Sequence, residues 1–251
     1  MDTTHTSRGM NIWNTMGAVD LPLEQVQMDY VTKTTPLERR FSPYDFNGGT
    51  TVVIAGDDYA IAAGCTRMSS GYEILSRDQK KLFELSDKTV LATAGCQTDV
   101  ITLRRMLSAR LTQYEHGNNK VMSTTAAAQL LSVTLYYRRF FPYYSFCLMA
   151  GLDEEGKGAC FGYDAIGSYK RDDYGAMGSG QNFIMPLLDN LLGHKNRNDP
   201  KQRVSAEEAV AIVKDVFVTV TERDIHTGDS VEIKLIRKEG ITTEIFQLKQ
   251  D

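Results

Sequence analysis

The chain has 251 residues, of which 42% are hydrophobic and 24% are charged. A chain of this length and composition can bury one sizeable core as a single domain. The formal net charge of -4 and the pI near 5.6 argue against nucleic acid as a partner, because surfaces that bind polyanions are usually strongly basic. The first thirty residues contain no apolar run long enough for a secretory signal or a membrane span. We therefore expect neither a nucleic-acid partner nor a membrane partner.

The cysteines and histidines are scattered along the chain and do not form any motif with tight local spacing. Metal-ligand clusters normally have such spacing, so the sequence predicts no metal site and no cofactor. The cysteines are expected to be free thiols in a reducing compartment. The residues concerned are Cys65, Cys96, Cys147, Cys160, His5, His116, His194 and His226.

Residues 1–40 are polar and show neither helical nor strand periodicity, so we predict an extension outside the core. A β-branched run then begins at Thr50 and ends at Ala55, and a second apolar run from Tyr59 to Gly64 follows a polar turn, which predicts a hairpin. The same pattern predicts three more hairpins and a short strand. These are 81–85 with 88–94, 144–150 with 159–163, 231–237 with 242–248, and 167–170.

Helical periodicity predicts four helices. The first has Thr98 as its N-cap and ends at Gly117; the second runs from Thr124 to Arg138, before Pro142. The third covers about 181–192, and the fourth follows a capping box formed by Ser205 and Glu208. Hairpins with short turns cannot form a parallel sheet, so we expect an α+β fold in which antiparallel sheets pack together with helices on the outer faces.

Four segments in order carry a resemblance to a known family. The chain resembles a beta subunit of the 20S proteasome, and within that family it is most similar to the non-catalytic beta type-1 subunits. The segments are FSPYDFNGGT (41–50), RRFFPYY (138–144), GLDEEGKGA (151–159) and ERDIHTGD (222–229). The resemblance implies the four-layer α-β-β-α sandwich of N-terminal nucleophile hydrolases as one domain over 41–251. It also implies that residues 1–40 form a propeptide, which we expect neighbouring active subunits to trim near Arg39, Arg40 or Phe41.

Active members of this family have a nucleophilic threonine, an aspartate sixteen positions later and a lysine thirty-two positions later. Thr66-Arg67 resembles the pair that follows the aspartate, which puts Cys65 at the acid position, and the segment 80–85 puts Lys81 at the lysine position. Counting back, 65 − 16 = 49 and 81 − 32 = 49, so both anchors put Gly49 at the nucleophile position. Thr50 is one residue late, and a shift of one residue turns a strand side chain to the opposite face of its sheet.

The sequence therefore predicts no catalytic residues: Gly49, Cys65 and Lys81 are degenerate family positions. Supporting positions persist by resemblance, with Gly95 as the oxyanion donor, Asp224 and Thr227 as the polar pair, and Ser179 in Gly-Ser-Gly. Gln181 stands where active members tend to have serine. Without the resemblance, each degenerate position has a simpler explanation, because Gly49 could be a flexible strand start, Lys81 a surface charge and Cys65 a small buried hydrophobe.

The resemblance implies a non-catalytic subunit in a seven-membered beta ring, against an opposing beta ring and an adjacent alpha ring. Unfolded polypeptides would pass through the chamber, in the cytoplasm and the nucleus. Two enzymatic alternatives remain open. One is an active threonine endopeptidase self-cleaved between Gly49 and Thr50, with a strand slip or bulge realigning Thr50 with Lys81. The other is a thiol enzyme that depends on Cys65, which would need a neighbouring base.

Overall fold

The computed structural model describes residues 42–194, 198 and 204–250. Tyr44–Asp251 forms one compact unit. The predicted extension over 1–40 and the predicted trimming positions Arg39, Arg40 and Phe41 lie outside the described residues.

Within the described residues the chain forms twelve strands and four α-helices. The strands are β1 (Thr50–Ala55), β2 (Ala60–Cys65), β3 (Met68–Ser70), β4 (Glu73–Ser76), β5 (Leu82–Ser86), β6 (Thr89–Gly95), β7 (Ser145–Leu152), β8 (Gly158–Tyr163), β9 (Tyr169–Asp172), β10 (Tyr174–Gly178), β11 (Ser230–Arg237) and β12 (Gly240–Gln247). The helices are α1 (Gln97–Asn118), α2 (Thr124–Tyr137), α3 (Gln181–Leu188) and α4 (Ala206–Thr221), and a π-helical turn (Asp189–Gly193) extends α3.

Two five-stranded sheets form the centre of the fold. One has the strand order β10-β1-β2-β11-β12 and the other has the order β5-β6-β7-β8-β9, while β3 and β4 pair only with each other. Every paired strand is antiparallel. This agrees with the prediction from the short polar turns.

Three buried apolar clusters define four layers. Phe217 of α4 and Ile184 of α3 pack on one sheet, and Leu103 of α1 and Leu131 of α2 pack on the other. Between the two sheets lies a third cluster, which contains Val53, Leu148 and Ile236. Each sheet therefore buries both of its faces, and the predicted α-β-β-α sandwich is confirmed.

Helix boundaries differ from the prediction at both ends of α1. Cys96, not Thr98, is the N-cap, and α1 continues past Gly117 to Asn118. Asn119 then ends the helix with φ 49°, in the left-handed conformation that asparagine tolerates well. Sequence rules favour threonine over cysteine as an N-cap, but here the end of β6 fixes where the helix starts.

Three strands were not predicted: β3, β4 and β10. β3 has only three residues, and β10 contains Gly175 and Gly178, which weaken the strand signal. The predicted strand at 167–170 lies two residues later as β9, and the predicted helix over 181–192 is α-helical only to Leu188. The capping box of Ser205 and Glu208 is present at the start of α4.

Candidate functional site

The start of β1 is positioned by two glycines in the left-handed region. Gly48 has φ 67° and Gly49 has φ 86°, conformations that glycine adopts without steric cost. The next residue, Thr50, is the first of β1 and is fully buried. The two glycines thus determine which face of the sheet each following side chain meets.

Gly49 lies directly against Lys81. A Cβ atom placed on Gly49 would be 2.0 Å from Cε and 2.9 Å from Nζ of Lys81, so the lysine fills the space that a side chain would need. The Lys81 ammonium donates hydrogen bonds to the backbone carbonyls of Cys65, at 2.9 Å, and Arg67, at 2.5 Å. Because Gly49 has no side chain, only its backbone lies beside the Lys81 ammonium.

A buried ion pair between Arg67 and Asp229 lies near Lys81. Nε of Arg67 donates to Oδ2 of Asp229 at 2.8 Å, and Arg77 binds the other carboxylate oxygen of Asp229. Burial lowers the pKa of Lys81 from its usual value, while the electrostatic effects of the neighbouring Cys65 and Asp229 side chains act in the opposite direction. Asp229 is therefore a carboxylate that favours the charged lysine, although it does not stand at the family acid position.

Thr50 faces the helix side of its sheet. Its hydroxyl lies 2.7 Å from the Thr227 hydroxyl and accepts a hydrogen bond of 2.8 Å from the backbone N–H of Gly180. The Thr227 hydroxyl donates to Oδ2 of Asp224 at 2.6 Å. Since Thr227 has a single proton and gives it to Asp224, Thr50 must be the donor to Thr227. The result is a directed chain of hydroxyls that ends on a carboxylate.

Ser179 joins the same network. Its hydroxyl donates to Oδ2 of Asp224 at 2.6 Å, and its backbone N–H donates to the Gly49 carbonyl at 3.1 Å. The second carboxylate oxygen of Asp224 accepts the His226 backbone N–H at 3.1 Å. The structure thus brings together Ser179, Asp224 and Thr227, and they contact Thr50 and the Gly49 carbonyl.

Cys65 is fully buried, and its sulfur accepts a hydrogen bond of 3.3 Å from the Thr50 backbone N–H. Its backbone carbonyl is one of the two acceptors of Lys81. Cys65 therefore contacts Thr50 through its side chain and Lys81 through its backbone carbonyl.

The lead-in segment, which we define as 44–49, lies across a groove between β3 and the end of β6. The Asn47 backbone N–H donates to the Gly95 carbonyl at 3.2 Å, and its carbonyl accepts the Ser69 N–H at 3.1 Å. The Asn47 side chain accepts the Gln97 N–H at 2.8 Å and so caps the start of α1. Asn47 is buried, and its backbone pairs on both sides as an added strand would.

Aromatic contacts hold the lead-in segment in place. Phe46 meets the rings of Tyr144 and His226 edge to face, with centroids 6.2 and 6.1 Å apart. Nδ1 of His226 lies 2.7 Å from the Ser69 hydroxyl. Tyr44 packs against Tyr144 in a tilted arrangement, with a centroid distance of 5.3 Å. The segment is thus fixed by backbone pairing and by side-chain packing.

The structure also shows the surroundings of Gly95 and Gln181, which were identified from the family resemblance. Gly95 has φ 121°, and a Cβ atom there would lie 2.4 Å from the Tyr144 carbonyl oxygen, so the close approach of these two chain segments requires glycine. Gln181 is the first residue of α3.

The described residues contain no cluster of three or more His, Cys, Asp or Glu side chains that could hold a metal ion. In the same part of the chain, none of the helices has the length and apolar character needed to cross a bilayer.

Comparison with known proteins identifies the family. A family model described as "Proteasome subunit" matches residues 45–236. The chain belongs to the proteasome subunit family. It is 52% identical to "Proteasome subunit beta type-1" of Arabidopsis thaliana over 222 residues, which cover 86% of this chain and 100% of the relative. It is 50% identical to "Proteasome subunit beta type-1-B" of Carassius auratus (86% and 92% covered) and 48% identical to the Drosophila melanogaster beta type-1 subunit (84% and 91% covered).

Several residues of this proteasome family member were not singled out from the sequence as site residues. Arg67 and Asp229 form the buried ion pair beside Lys81, and Asn47 and Ser69 pair across the groove. Their partners are about 160 and 22 positions apart in the chain, so no local spacing connects them. The only available signal was that all but Ser69 lie in or next to segments that carry the family resemblance.

Proposed function

We propose that the chain is a non-catalytic structural beta subunit of the 20S proteasome core particle. The observation that carries the proposal is the contact between Gly49 and Lys81. A threonine hydrolase needs a hydroxyl that an adjacent base or amine can activate. Beside Lys81 there is a glycine, and the lysine fills the space that a threonine side chain would occupy.

The lead-in segment supports the same proposal. In an active member the glycine at the Gly95 position donates its backbone N–H to the oxyanion, by the family resemblance. Here the Gly95 carbonyl accepts the Asn47 N–H, and Ser69 donates to the Asn47 carbonyl. An extended polypeptide would have to displace the chain's own backbone to pair at this groove. A subunit closed in this way can form a wall of the chamber without cutting the polypeptides that pass.

The proposed setting follows from the family. The chain would occupy a place in a seven-membered beta ring, in contact with other beta subunits, with the opposing beta ring and with the adjacent alpha ring. It would contribute to ring assembly and to protein degradation in the cytoplasm and the nucleus. Residues 1–40 would be a propeptide trimmed near Arg39, Arg40 or Phe41 by neighbouring active subunits, because a chain without a nucleophile cannot cleave itself.

One observation favours the alternative, an active threonine endopeptidase self-cleaved between Gly49 and Thr50. The Thr50 hydroxyl donates through Thr227 to the Asp224 carboxylate, which could act as the final proton acceptor. Two facts weigh against it: Thr50 is fully buried, and the Lys81 ammonium is directed at two carbonyls. A thiol enzyme is disfavoured because Cys65 is also fully buried.

The proposal can be tested on core particles purified through a tag on this chain. We expect the other proteasome subunits to co-purify in fixed stoichiometry. A covalent probe for N-terminal threonines should label active partners and leave this chain unlabelled. Labelling of this chain would contradict the non-catalytic assignment, and its absence from core particles would contradict the structural one. If trimming persists when every neighbouring active site is inhibited, the proposed route of maturation is wrong.

A further inference from the structure

The end of α2 presents an unusual concentration of exposed aromatic side chains. Phe140 is 88% exposed and Tyr137 is 81% exposed, while Tyr136 and Phe141 are both 55% exposed. We call residues 136–141 the α2-end patch. The opposite side of α2 supplies Leu131 and Leu135 to the core, so the patch is not needed to complete the fold. Contiguous exposed apolar surface of this kind usually marks an interaction site.

Two arginines, Arg138 and Arg139, stack on aromatic rings in and next to the patch. The Arg139 guanidinium lies over the rings of Tyr136, at 4.7 Å, and Phe140, at 4.4 Å. The Arg138 guanidinium lies over Tyr143 at 4.7 Å and donates to the Tyr143 hydroxyl at 3.4 Å. Arginine and aromatic residues are the types enriched at the energetic centres of protein interfaces.

The patch is also held rigid from below. Tyr44 stacks on Phe141 with a centroid distance of 5.7 Å, and its hydroxyl donates to the Pro142 carbonyl at 2.8 Å. A surface that is already ordered loses less conformational entropy when it binds. The patch is therefore suited to a specific and stable contact.

Within the described residues, the two arginines of the patch form no ion pair. The segment 133–144 contains two arginines and no aspartate or glutamate. Among the described residues, no carboxylate lies within ion-pair distance of Arg138 or Arg139, and Asp99 acts on Arg138 only from farther away. An arginine stacked on aromatic rings keeps its N–H groups free to bind carboxylates in a paired geometry. A partner surface that carries carboxylates would therefore match the charge of the patch.

We propose that the α2-end patch binds a neighbouring proteasome subunit that presents an apolar pocket to Phe140 and carboxylates to Arg138 and Arg139. This inference rests on the proposed function, because only membership in the core particle makes another subunit the occupant. It adds the surface of this chain that makes the contact and the chemistry of the facing surface.

The first test measures incorporation of tagged variants into core particles in cells that also express the untagged chain. R138E/R139E should reduce incorporation about tenfold, because like charges would meet at a desolvated contact. R138K/R139K, which keeps both charges, is the matched control and should be incorporated at least several-fold better. Equal incorporation of the two double variants, whether high or low, would overturn the inference. Failure of the wild-type chain to be incorporated at all would instead overturn the proposed function.

The second test identifies the occupant in the assembled particle. A photo-crosslinking phenylalanine analogue replaces Phe140, and purified core particles are irradiated and analysed by peptide mass spectrometry. We expect one crosslink, to a peptide of another proteasome subunit that contains aspartate or glutamate. A crosslink to a second copy of this chain, to a protein outside the particle, or to a peptide without a carboxylate would contradict the inference, as would no crosslink.

Discussion

The two faces of β1 differ in how their polar groups are satisfied. On the helix-facing side, the Thr50 hydroxyl has a donor in Gly180 and an acceptor in Thr227. On the side between the sheets, Gly49 offers no side chain to Lys81, and the fully buried Thr51 hydroxyl has no hydrogen-bond partner among the described residues. One face is a completed hydrogen-bond network, and on the other the lysine ammonium binds the backbone carbonyls of Cys65 and Arg67.

This difference gives Ser179, Asp224 and Thr227 a structural role that does not depend on catalysis. Ser179, Asp224 and Thr227 lie on the completed face, where their side chains form hydrogen bonds to one another, and removing one would cost its neighbour a hydrogen bond. They are therefore stabilising whether or not catalysis occurs. Lys81 likewise has a structural use, because it joins the carbonyls of Cys65 and Arg67 between β2 and β3.

The largest expected effect comes from the ion pair beside Lys81. D229N removes the charge that balances Arg67, while asparagine tolerates the positive φ at this position. A buried guanidinium without its partner costs about 3 to 5 kcal/mol. Denaturant-induced unfolding should show a loss of this size. A loss below about 1 kcal/mol, as for an exposed pair, would show that this side of β1 does not depend on buried charge.

A side chain at position 49 should also lower the free energy of unfolding. G49T adds strain at positive φ and displaces Lys81 from its two carbonyls, so we expect denaturant-induced unfolding to show a loss of about 3 kcal/mol. The matched control is G71T, because Gly71 also has positive φ but has nothing within 4 Å of the position that a Cβ atom would take. The control should lose only about 1 to 2 kcal/mol from backbone strain. Equal losses in the two variants would mean that Lys81 does not fill this space.

Thr227 is at the centre of the hydrogen-bond network on the helix-facing side of β1, and its substitution tests that network. T227V leaves the Thr50 hydroxyl without its acceptor and removes one of the hydrogen bonds to the Asp224 carboxylate, which should cost about 2 kcal/mol. T227S keeps the hydroxyl and should recover most of the stability. In a double-mutant cycle, T50V and T227V should be less than additive, because both remove the same hydrogen bond. Additive losses would argue against the directed hydroxyl chain.

The smallest effect should have the opposite sign. T51V removes a buried hydroxyl that has no partner among the described residues and should stabilise the protein by about 1 kcal/mol. T50V, one residue away on the other face, should destabilise it. Thermal unfolding of both variants measures this contrast. If T51V is destabilised as much as T50V, the two faces do not differ in the way described.

Much of the fold was predictable because it depends on local pattern. The β-branched run from Thr50 to Ala55 matches β1 at both ends, and Ser205 with Glu208 marks the start of α4. The predictions were wrong where tertiary contacts decide. Cys96 is the N-cap of α1 because β6 ends directly before it, and Asn47, fifty residues away, accepts the N–H of Gln97 in place of a capping side chain.

The site was predictable only in its register. Counting from Cys65 and Lys81 predicted Gly49 at the nucleophile position of the family, and in the structure Gly49 lies against Lys81. The sequence did not indicate that Lys81 binds two carbonyls, or that Arg67 and Asp229 supply the nearby charge. Those contacts join β2, β3 and the start of β11, and no spacing rule links residues so far apart.

The central claim, that this chain does not release a nucleophile, is tested most directly by the N-terminus of the mature subunit. Intact-mass analysis of the chain purified with its partners in the core particle gives that N-terminus. We predict a start upstream of Gly49, near Phe41 or at the beginning of the chain. A mature chain that begins at Thr50 would contradict the account.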